Sequence, residues 1–282
     1  MFIKLNLFTK TKSITLKNRF KFLIISAKLF IGVFLISAHS ANATIVQFQT
    51  TMGDFQVNLY DKTTPETVKN FLVYVNAGAY NNTVITRAVP NFVVQGGGYK
   101  YDTKFPLIDL PANAAIINEP VYSNRRGTIA MAKLGGNPNS ATNEWFFNLK
   151  DNSEGSPKLD TANGGYTVFG EVIFTGSVDG MLVLDAMAAL NAPFTDKEQI
   201  PLVNYTPDDL VKKVPITDKN LVFLRGITII KSGDTDAGLS PKKNTLINEP
   251  VKNGSGGGGG GSVGWMSLLI LLCFAVFSRS RR

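Results

Sequence analysis

Apolar and polar residues alternate in short runs along this chain, a pattern typical of β-strands with one face in a core. The runs fall within residues 45–95 and 127–173, and one more lies near 221–230. Turn-forming residues separate them. The predicted strands are Ile45–Thr50, Asp54–Tyr60, Asn82–Arg87, Phe92–Gln95, Gly127–Ala132, Trp145–Leu149, Thr167–Ile173 and Leu221–Ile230.

Two segments repeat apolar residues at helical spacing instead. Pro65–Ala77 has proline at an early helical position, and Gly180–Leu190 shows the same spacing interrupted by Asp185. Many short strands with two helices favour a mainly β fold, a closed antiparallel barrel capped by two α-helices. Asn191–Asn220 is rich in proline and charge and is predicted to be a long surface connection before the last strand.

The net charge of +8 is carried by the two ends of the chain. Residues 1–43 hold 7 of the 29 Lys and Arg and residues 251–282 hold 4, which leaves 18 in residues 44–250 against all 21 Asp and Glu. This mildly acidic body argues against a nucleic-acid partner.

The single histidine, His39, and the single cysteine, Cys273, both lie outside the body. Their positions exclude from it a Ser-His-Asp or Cys-His nucleophile, a thiol redox centre and a zinc site of the usual ligands. A site built from carboxylates alone stays open, although no loop has EF-hand spacing. We expect neither a metal nor a cofactor.

Residues 1–43 have the parts of a secretory signal. A lead of six basic residues between Lys4 and Lys21 comes before the apolar run Leu29–Ile36, and Ala41-Asn42-Ala43 supplies a small-x-small cleavage pattern. We predict that signal peptidase cuts after Ala43 and that the mature chain begins at Thr44. The alternative is an uncleaved membrane anchor.

The C-terminal end combines six glycines at 256–261, an apolar run from Val263 to Phe277, and a final cluster of arginines. As a helix the apolar run would reach only about 22 Å, short of a hydrocarbon core of about 30 Å. We interpret residues 232–262 as a flexible linker and 263–282 as a short membrane helix with a basic stop.

This arrangement resembles the glycine-glycine C-terminal sorting signals of Gram-negative bacteria. The resemblance implies cleavage near the glycines by a rhomboid-type protease and transfer to the periplasm or cell surface after a transient stay in the inner membrane. The alternative is a permanent tail anchor.

Residues 85–98 read Ile-Thr-Arg-Ala-Val-Pro-Asn-Phe-Val-Val-Gln-Gly-Gly-Gly and carry the strongest motif of the chain. Alternation places Phe92 and Val94 on one strand face, and Val93 and Gln95 on the other. The three glycines indicate a turn that needs positive φ, since no Gly-Lys-Ser/Thr follows to make a phosphate loop.

This motif resembles the active-site strand of the cyclophilins, the barrel-shaped peptidyl-prolyl cis–trans isomerases. Five further blocks resemble the same family in the same order, so that the likeness covers roughly residues 45–231, the predicted isomerase domain 44–231. The blocks are Met52–Phe55, Thr64–Phe71, Arg126–Ala132, Asn139–Phe147 and Gly165–Gly170.

The resemblance implies a closed eight-stranded barrel that binds proline-containing polypeptides and accelerates rotation about Xaa-Pro bonds. Arg87 would be the catalytic donor, and Gln95 would position the substrate backbone. The remaining implied substrate-binding residues are Phe92, Val93, Phe146 and Leu159 in the proline pocket, Ala132, Lys133 and Leu134 at its rim, Tyr166 as a wall, and Glu144 beside Arg87.

Several positions depart from well-studied members of the family. Histidine is usual at Thr86 and Tyr166, methionine at Val93, glutamine at Glu144, and asparagine often at Lys133. Glu144 therefore brings a negative charge near Arg87, where it either anchors or partly quenches the guanidinium.

Rotation about an Xaa-Pro bond needs no nucleophile or metal, so a body without His or Cys is compatible with it. We therefore expect an exported isomerase that assists the folding of exported proteins. One alternative is a peptide-binding or chaperone module with little catalysis. Another is a surface adhesin that uses the barrel as a scaffold.

Overall fold

The computed structural model describes residues 43–173, 179–190, 192, 194–195, 198–236 and 238–248. The predicted leader up to residue 42, the glycine run and the tail 263–282 lie outside the described residues. Within the part that is described, no helix combines the length and the apolar character needed to cross a membrane.

The regular elements are mainly short strands with a few helices. The helices α1–α3 are Pro65–Asn76, Gly180–Ala188 and Pro207–Val211, and single 3₁₀ turns occupy Ala162–Gly164 and Asp218–Asn220. The strands β1–β13 are Ile45–Thr50, Gly53–Leu59, Thr83–Val84, Arg87–Val89, Val93–Gly96, Tyr99–Lys100, Ile108–Asp109, Thr128–Met131, Trp145–Asn148, Val168–Ile173, Phe194–Thr195, Glu198–Gln199 and Phe223–Lys231.

Eleven of these strands form one antiparallel sheet in the order β4-β5-β9-β8-β10-β2-β1-β13-β3-β6-β7, and β11 pairs with β12 separately. The mainly β prediction is confirmed, but the closed eight-stranded barrel is wrong. Among the described strands the order is open, with β4 at one end and β7 at the other. Strands of two residues such as β6 and β7 are too short to show a periodic pattern, and closure depends on whether the sheet edges meet.

The predicted strand Asn82–Arg87 is divided into β3 and β4, which pair with different neighbours. β3 pairs with β13, whereas β4 pairs with β5. The pairing changes at the break: the N–H of Ile85 donates to the carbonyl of Val222, whereas that of Thr86 donates to the carbonyl of Gln95, so Arg87 follows beside β5.

Aromatic side chains fill the space between the sheet and helix α1. Phe48 of β1 stacks on Phe55 of β2 with ring centroids 5.2 Å apart, and meets Trp145 and Phe147 of β9 edge-on at 5.3 Å each. Such offset and edge-on pairs add to the free energy gained by burying the rings. The alternation read from the sequence places these residues in the core because every second residue of a strand faces the same side.

Helix α1 begins with a proline, whose missing N–H is not needed in the first turn. The side chain of Thr64 gives no capping bond; instead the carboxylate of Glu119 accepts from the backbone N–H of Thr67 at 2.9 Å and from its hydroxyl at 2.7 Å. A negative charge at a helix N-terminus also complements the helix dipole. The start of α1 is therefore fixed to a distant segment of the chain.

Helix α2 is capped by Asp179, whose carboxylate accepts from the N–H of Met181 at 2.9 Å. Asp185, which interrupts the apolar pattern of this helix, forms a two-bond ion pair with Arg126 at 3.0 and 2.6 Å. Arg126 also donates to the carbonyl of Leu149. The interruption therefore has a structural role in joining the helix to the end of β9.

The segment 191–220 is not only a surface connection, which corrects the sequence prediction. Ile200, Leu202 and Tyr205 are buried and pack with Val84 and Leu221 in a second, smaller core. A capping box between Thr206 and Asp209 starts α3 in the same segment. The proline and charge content concealed these apolar residues, because they show neither helical nor strand spacing.

Residues 233–236 and 238–248, which belong to the predicted linker, run back over the body. Asp236 accepts from the backbone N–H of Lys62 at 2.9 Å and from the hydroxyl of Thr63. Farther along, the N–H of Ser123 donates to the carbonyl of Lys242 at 2.9 Å, and the N–H of Asn244 to that of Val121 at 2.8 Å. These bonds attach the segment to two separate parts of the domain.

Candidate active site

Arg87 lies directly opposite Gln95 on the neighbouring strand, so the β4–β5 pairing places these two predicted site residues side by side. The guanidinium carbon of Arg87 stands 5.6 Å from the ring centroid of Phe92, within the range of a cation–π contact. This contact restricts the long arginine side chain to one region of the surface. The motif residues are therefore brought together by a tight β4–β5 hairpin.

Gln95 is held in turn by Glu144, the residue that precedes β9. The side-chain amide of Gln95 donates to the Glu144 carboxylate at 2.8 Å. Burial raises the pKa of Glu144, and the charge of Asp109 adds to that effect, whereas the Gln95 bond opposes it. The sequence predicted Glu144 beside Arg87; the structure shows its carboxylate bonded to Gln95, the residue that lies opposite Arg87.

The glycines after β5 make room for this arrangement. A Cβ on Gly98 would lie 2.7 Å from the carboxyl carbon of Glu144, so only glycine leaves the carboxylate its place. Gly97 has φ +92°, and a Cβ there would lie 2.7 Å from the indole nitrogen of Trp145. The predicted glycine turn is thereby confirmed at Gly97, while Gly98 is required by the close approach of Glu144.

The implied pocket residues form one apolar cluster, here called the pocket cluster. Val93, Phe146 and Leu159 are buried in it, with Phe92, Ala132 and Tyr166 packed partly exposed against them. The rings of Phe146 and Tyr166 meet edge-on with centroids 5.7 Å apart. The other buried members of the cluster are Tyr60, Tyr122, Ala130 and Val168, and Leu239 packs against it.

Phe92 differs from its predicted strand face. Alternation pairs it with Val94, but Val94 lies in the main core, whereas Phe92 packs with Val93 in the pocket cluster. The reason is that β5 begins at Val93, so Phe92 belongs to the preceding turn and is not subject to strand alternation. The turn therefore adds an aromatic side chain to the pocket beside Arg87.

Lys133 also differs from expectation. The resemblance implies a rim position, yet the residue is only 9% exposed. Its ammonium donates to the carbonyls of Asn163 at 2.9 Å and Gly165 at 2.6 Å, and lies 4.8 Å from the ring centroid of Tyr166. Burial lowers the pKa of Lys133 to about 8. The lysine thus binds the loop that carries Tyr166, whereas neighbouring Leu134 is exposed at the rim.

A group of buried polar side chains bonds to the backbone of the pocket residues Phe92 and Tyr166 and was not identified from the sequence. Asn152 donates to the carbonyl of Phe92 at 3.0 Å and to the side chain of Asn148 at 2.8 Å. Asn124 donates to the carboxylate of Asp160 and to the carbonyl of Tyr166. These bonds hold the backbone at both sides of the pocket. Asn148, a polar residue inside the apolar run 145–149, was the available signal.

Known proteins resemble this chain over the same region. The family model for cyclophilin type peptidyl-prolyl cis-trans isomerases matches residues 45–207. A peptidyl-prolyl cis-trans isomerase of Acinetobacter baylyi is 35% identical over 188 residues, which cover 67% of this chain and 89% of that protein. Peptidyl-prolyl cis-trans isomerase B of Escherichia coli is 40% identical over 142 residues, 50% of this chain and 82% of the relative.

Isomerase A of Dickeya dadantii is 35% identical over 170 residues, 58% of this chain and 83% of that protein. The residues 45–207 matched by the family model contain the hairpin of Arg87 and Gln95, the pocket cluster apart from Leu239, and the second core apart from Leu221. The chain therefore belongs to the family of cyclophilin-type peptidyl-prolyl cis-trans isomerases.

Proposed function

We propose that this protein accelerates cis–trans rotation about Xaa-Pro bonds of exported polypeptides. The observation that carries the proposal is the position of the Arg87 guanidinium, 5.6 Å from the Phe92 ring at the edge of the pocket cluster. Acceleration of this rotation calls for a charged group with several N–H donors beside an apolar surface that holds the proline ring. Membership of an isomerase family supports the same reaction.

The barrier to rotation, about 18–20 kcal/mol, comes from amide resonance. As the bond twists, the proline nitrogen regains its lone pair and can accept a hydrogen bond. Arg87 donates to the twisted amide, and Val93, Phe146 and Leu159 hold the proline ring. Because the donor acts on the twisted state more strongly than on the planar state, it lowers the barrier.

The other polar residues fix the position of the Arg87 donor relative to the substrate. Gln95 bonds the substrate backbone with the part of its amide that is not committed to Glu144. Glu144 fixes the rotamer of Gln95, and Lys133 fixes the loop that bears Tyr166. Fixed groups cost no reorganisation during the reaction, which is the main advantage of such a site.

The test is an NMR-exchange or protease-coupled assay on a short Ala-Pro peptide. Arg87→Ala is expected to lower kcat/KM by about 10²- to 10³-fold, the range for losing one preorganised donor. Arg225→Ala, an exposed arginine on β13, is the matched control and keeps full activity. Full activity of Arg87→Ala would reject the role of Arg87. Peptide binding without acceleration by the unaltered protein would favour the chaperone alternative.

We also propose that the protein is exported and then released from the inner membrane. The support is the order of segments: a basic and apolar leader ending in Ala-Asn-Ala, and a glycine run followed by a short apolar segment and arginines. Signal peptidase would cut after Ala43, and a rhomboid-type protease near Gly256–Ser262. The measurement is the intact mass of protein from the native cell, and a mature species that retains Trp265–Arg282 would leave a permanent anchor.

The surroundings of Thr44 favour the N-terminal cut. Its backbone nitrogen lies 2.7 Å from one carboxylate oxygen of Asp61, and its hydroxyl donates to the other at 2.7 Å. Cleavage after Ala43 would turn that nitrogen into an ammonium group beside a carboxylate. An ion pair would then replace an ordinary backbone bond at the start of β1.

A further inference from the structure

The C-terminal strap, comprising residues 233–236 and 238–248, follows the last strand and returns towards the pocket cluster. Its first part is bonded to the start of the domain, where the N–H of Gly233 donates to the hydroxyl of Thr44 at 3.1 Å. Leu239 then packs against the pocket cluster itself. The strap therefore approaches the site that binds proline in the proposed function.

The second part of the strap pairs with the segment before Arg125 as a short antiparallel ladder. Tyr122 and Lys243 form the bridge, and backbone bonds on either side join Ser123 to Lys242 and Asn244 to Val121. Tyr122 is a member of the pocket cluster. The ladder thus fixes the strap at a buried member of the pocket cluster.

Asn244 is the buried centre of this contact, only 8% exposed in a segment whose composition is that of a linker. Its side-chain amide donates to the carbonyl of Asp160 at 2.7 Å. Its side-chain oxygen accepts from the N–H groups of Leu246 and Ile247 at 3.0 and 3.2 Å. Both ends of the amide are therefore used, one to form a turn of the strap and one to hold the body.

The carbonyl that Asn244 holds belongs to the residue after Leu159, at the start of the pocket loop 159–166. The Asp160 carboxylate accepts from Asn124, which also donates to the carbonyl of Tyr166. At the other end of the loop, Ile247 lies close to Gly165. A Cβ on Gly165 would be 3.2 Å from the terminal methyl group of Ile247. The strap thus contacts both ends of the loop that supplies Leu159 and Tyr166.

The same loop is also held by Lys133, through the carbonyls of Asn163 and Gly165. This loop contains little regular secondary structure, namely one 3₁₀ turn at Ala162–Gly164. A loop with few ladder bonds depends on side chains to fix its position. Lys133 binds it at the carbonyls of Asn163 and Gly165, and Asn244 binds it at the carbonyl of Asp160.

We propose that Asn244 is a positioning residue of the isomerase site and that the C-terminal strap is a component of the isomerase domain. Asn244 acts through Asp160 on Leu159 and Tyr166, and so sets the width of the proline pocket. This rests on the proposed function, and it extends the domain from Lys231 to Asn248. Cleavage near Gly256–Ser262 would leave the strap on the body.

The experiment uses the full chain in detergent with three variants. Asn244→Ala removes all three side-chain bonds, whereas Asn244→Asp keeps an acceptor for Leu246 and Ile247 but loses the donor to Asp160. Asn248→Ala, an exposed asparagine of the same strap, is the matched control. KM and kcat for an Ala-Pro peptide are measured by NMR exchange, together with amide hydrogen exchange.

Asn244→Ala and Asn244→Asp are both expected to raise KM about three- to tenfold, as for the loss of one hydrogen bond, with a smaller change in kcat. The amides of Leu159 and Tyr166, which donate to Asn152 and Leu159, are expected to exchange faster, while those of β1 and β2 are unchanged. Asn248→Ala is expected to match the unaltered chain in every measurement.

Unchanged KM and unchanged exchange at Leu159 and Tyr166 in Asn244→Asp would overturn the proposal. Equal acceleration of exchange throughout the domain would also overturn it, since that indicates general destabilisation. If Asn244→Ala fails to fold, Asn244→Asp decides, because it retains the turn of the strap. If the unaltered chain is inactive, the proposed function fails, while amide exchange still reports whether the strap holds the loop.

Discussion

The side-chain amide of Gln95 donates to the carboxylate of Glu144 at 2.8 Å, and the same Gln95 lies opposite Arg87 across the β4–β5 pair. A carboxylate can only accept hydrogen bonds, so it fixes which end of the amide faces it. The carbonyl end of Gln95 is then left for other partners. Glu144 therefore determines the orientation of the residue beside the proposed catalytic donor.

This orientation predicts different outcomes for two substitutions at position 144. Glu144→Gln keeps an oxygen that can accept from Gln95, so kcat/KM is expected to stay within about twofold. Glu144→Ala removes the acceptor and is expected to raise KM about three- to tenfold. The kcat/KM and KM of both variants are measured by NMR exchange on an Ala-Pro peptide. A Glu144→Gln enzyme clearly faster than the unaltered one would instead mean that the charge partly quenches Arg87.

The buried Lys133 is expected to make the free energy of unfolding depend on pH in the alkaline range. Burial lowers its pKa to about 8, below the value of about 10.4 of an unfolded lysine. Between these values the unfolded chain binds more protons, so the free energy of unfolding rises with pH, by up to about 3 kcal/mol. We expect Lys133→Met to lack this rise in urea unfolding between pH 8 and pH 10.

The comparison with Lys133→Met is needed because burial raises the pKa of Tyr60 and Tyr80, which lowers stability above about pH 10 in both proteins. The difference between the two unfolding curves therefore isolates the lysine. A constant difference across this range would contradict a depressed pKa at Lys133.

The Thr44–Asp61 contact predicts a stabilising N-terminal charge. A chain that starts at Thr44 is expected to be about 1 kcal/mol more stable at pH 6.5 than one that keeps Ala41-Asn42-Ala43. A neighbouring carboxylate raises the pKa of the ammonium, so the gain is complete below about pH 7.7 as long as Asp61 is ionised, and it is lost as pH rises through the folded value. Urea unfolding at pH 6.5 and 9.5 measures it.

Asp61→Asn provides the control for this ion pair. In that variant the short and the extended chains are expected to be equally stable at both pH values. A gain that survives Asp61→Asn would assign the effect to chain length instead of charge.

The second core predicts that segment 191–220 contributes to stability. Leu202 is 1% exposed, whereas Leu210 in α3 is 43% exposed. Leu202→Ala is expected to lower the free energy of unfolding by about 2–5 kcal/mol, and Leu210→Ala by less than about 0.5 kcal/mol. Chemical denaturation of both variants checks this, and a similarly small loss for Leu202→Ala would restore the surface-connection interpretation.

The sequence alone determined the features that depend on neighbours in the chain. Strand β1 was predicted at its observed bounds, and α1 within one residue of its end, because strand and helix periods repeat over a few residues. Arg87, Phe92 and Gln95 were identified for the same reason, since one hairpin carries all three. Composition likewise restricted the chemistry by leaving the body without His or Cys.

Only the tertiary structure decided the features that depend on where distant segments meet. The path of the whole chain decides whether the sheet closes. It also decides that Lys133 bonds to Gly165, 32 residues farther along. Asn244 meets Asp160 across 84 residues, a contact that no local pattern encodes. A polar side chain in a linker-like composition is exposed by default; it becomes buried only where the fold presents a carbonyl that it can satisfy.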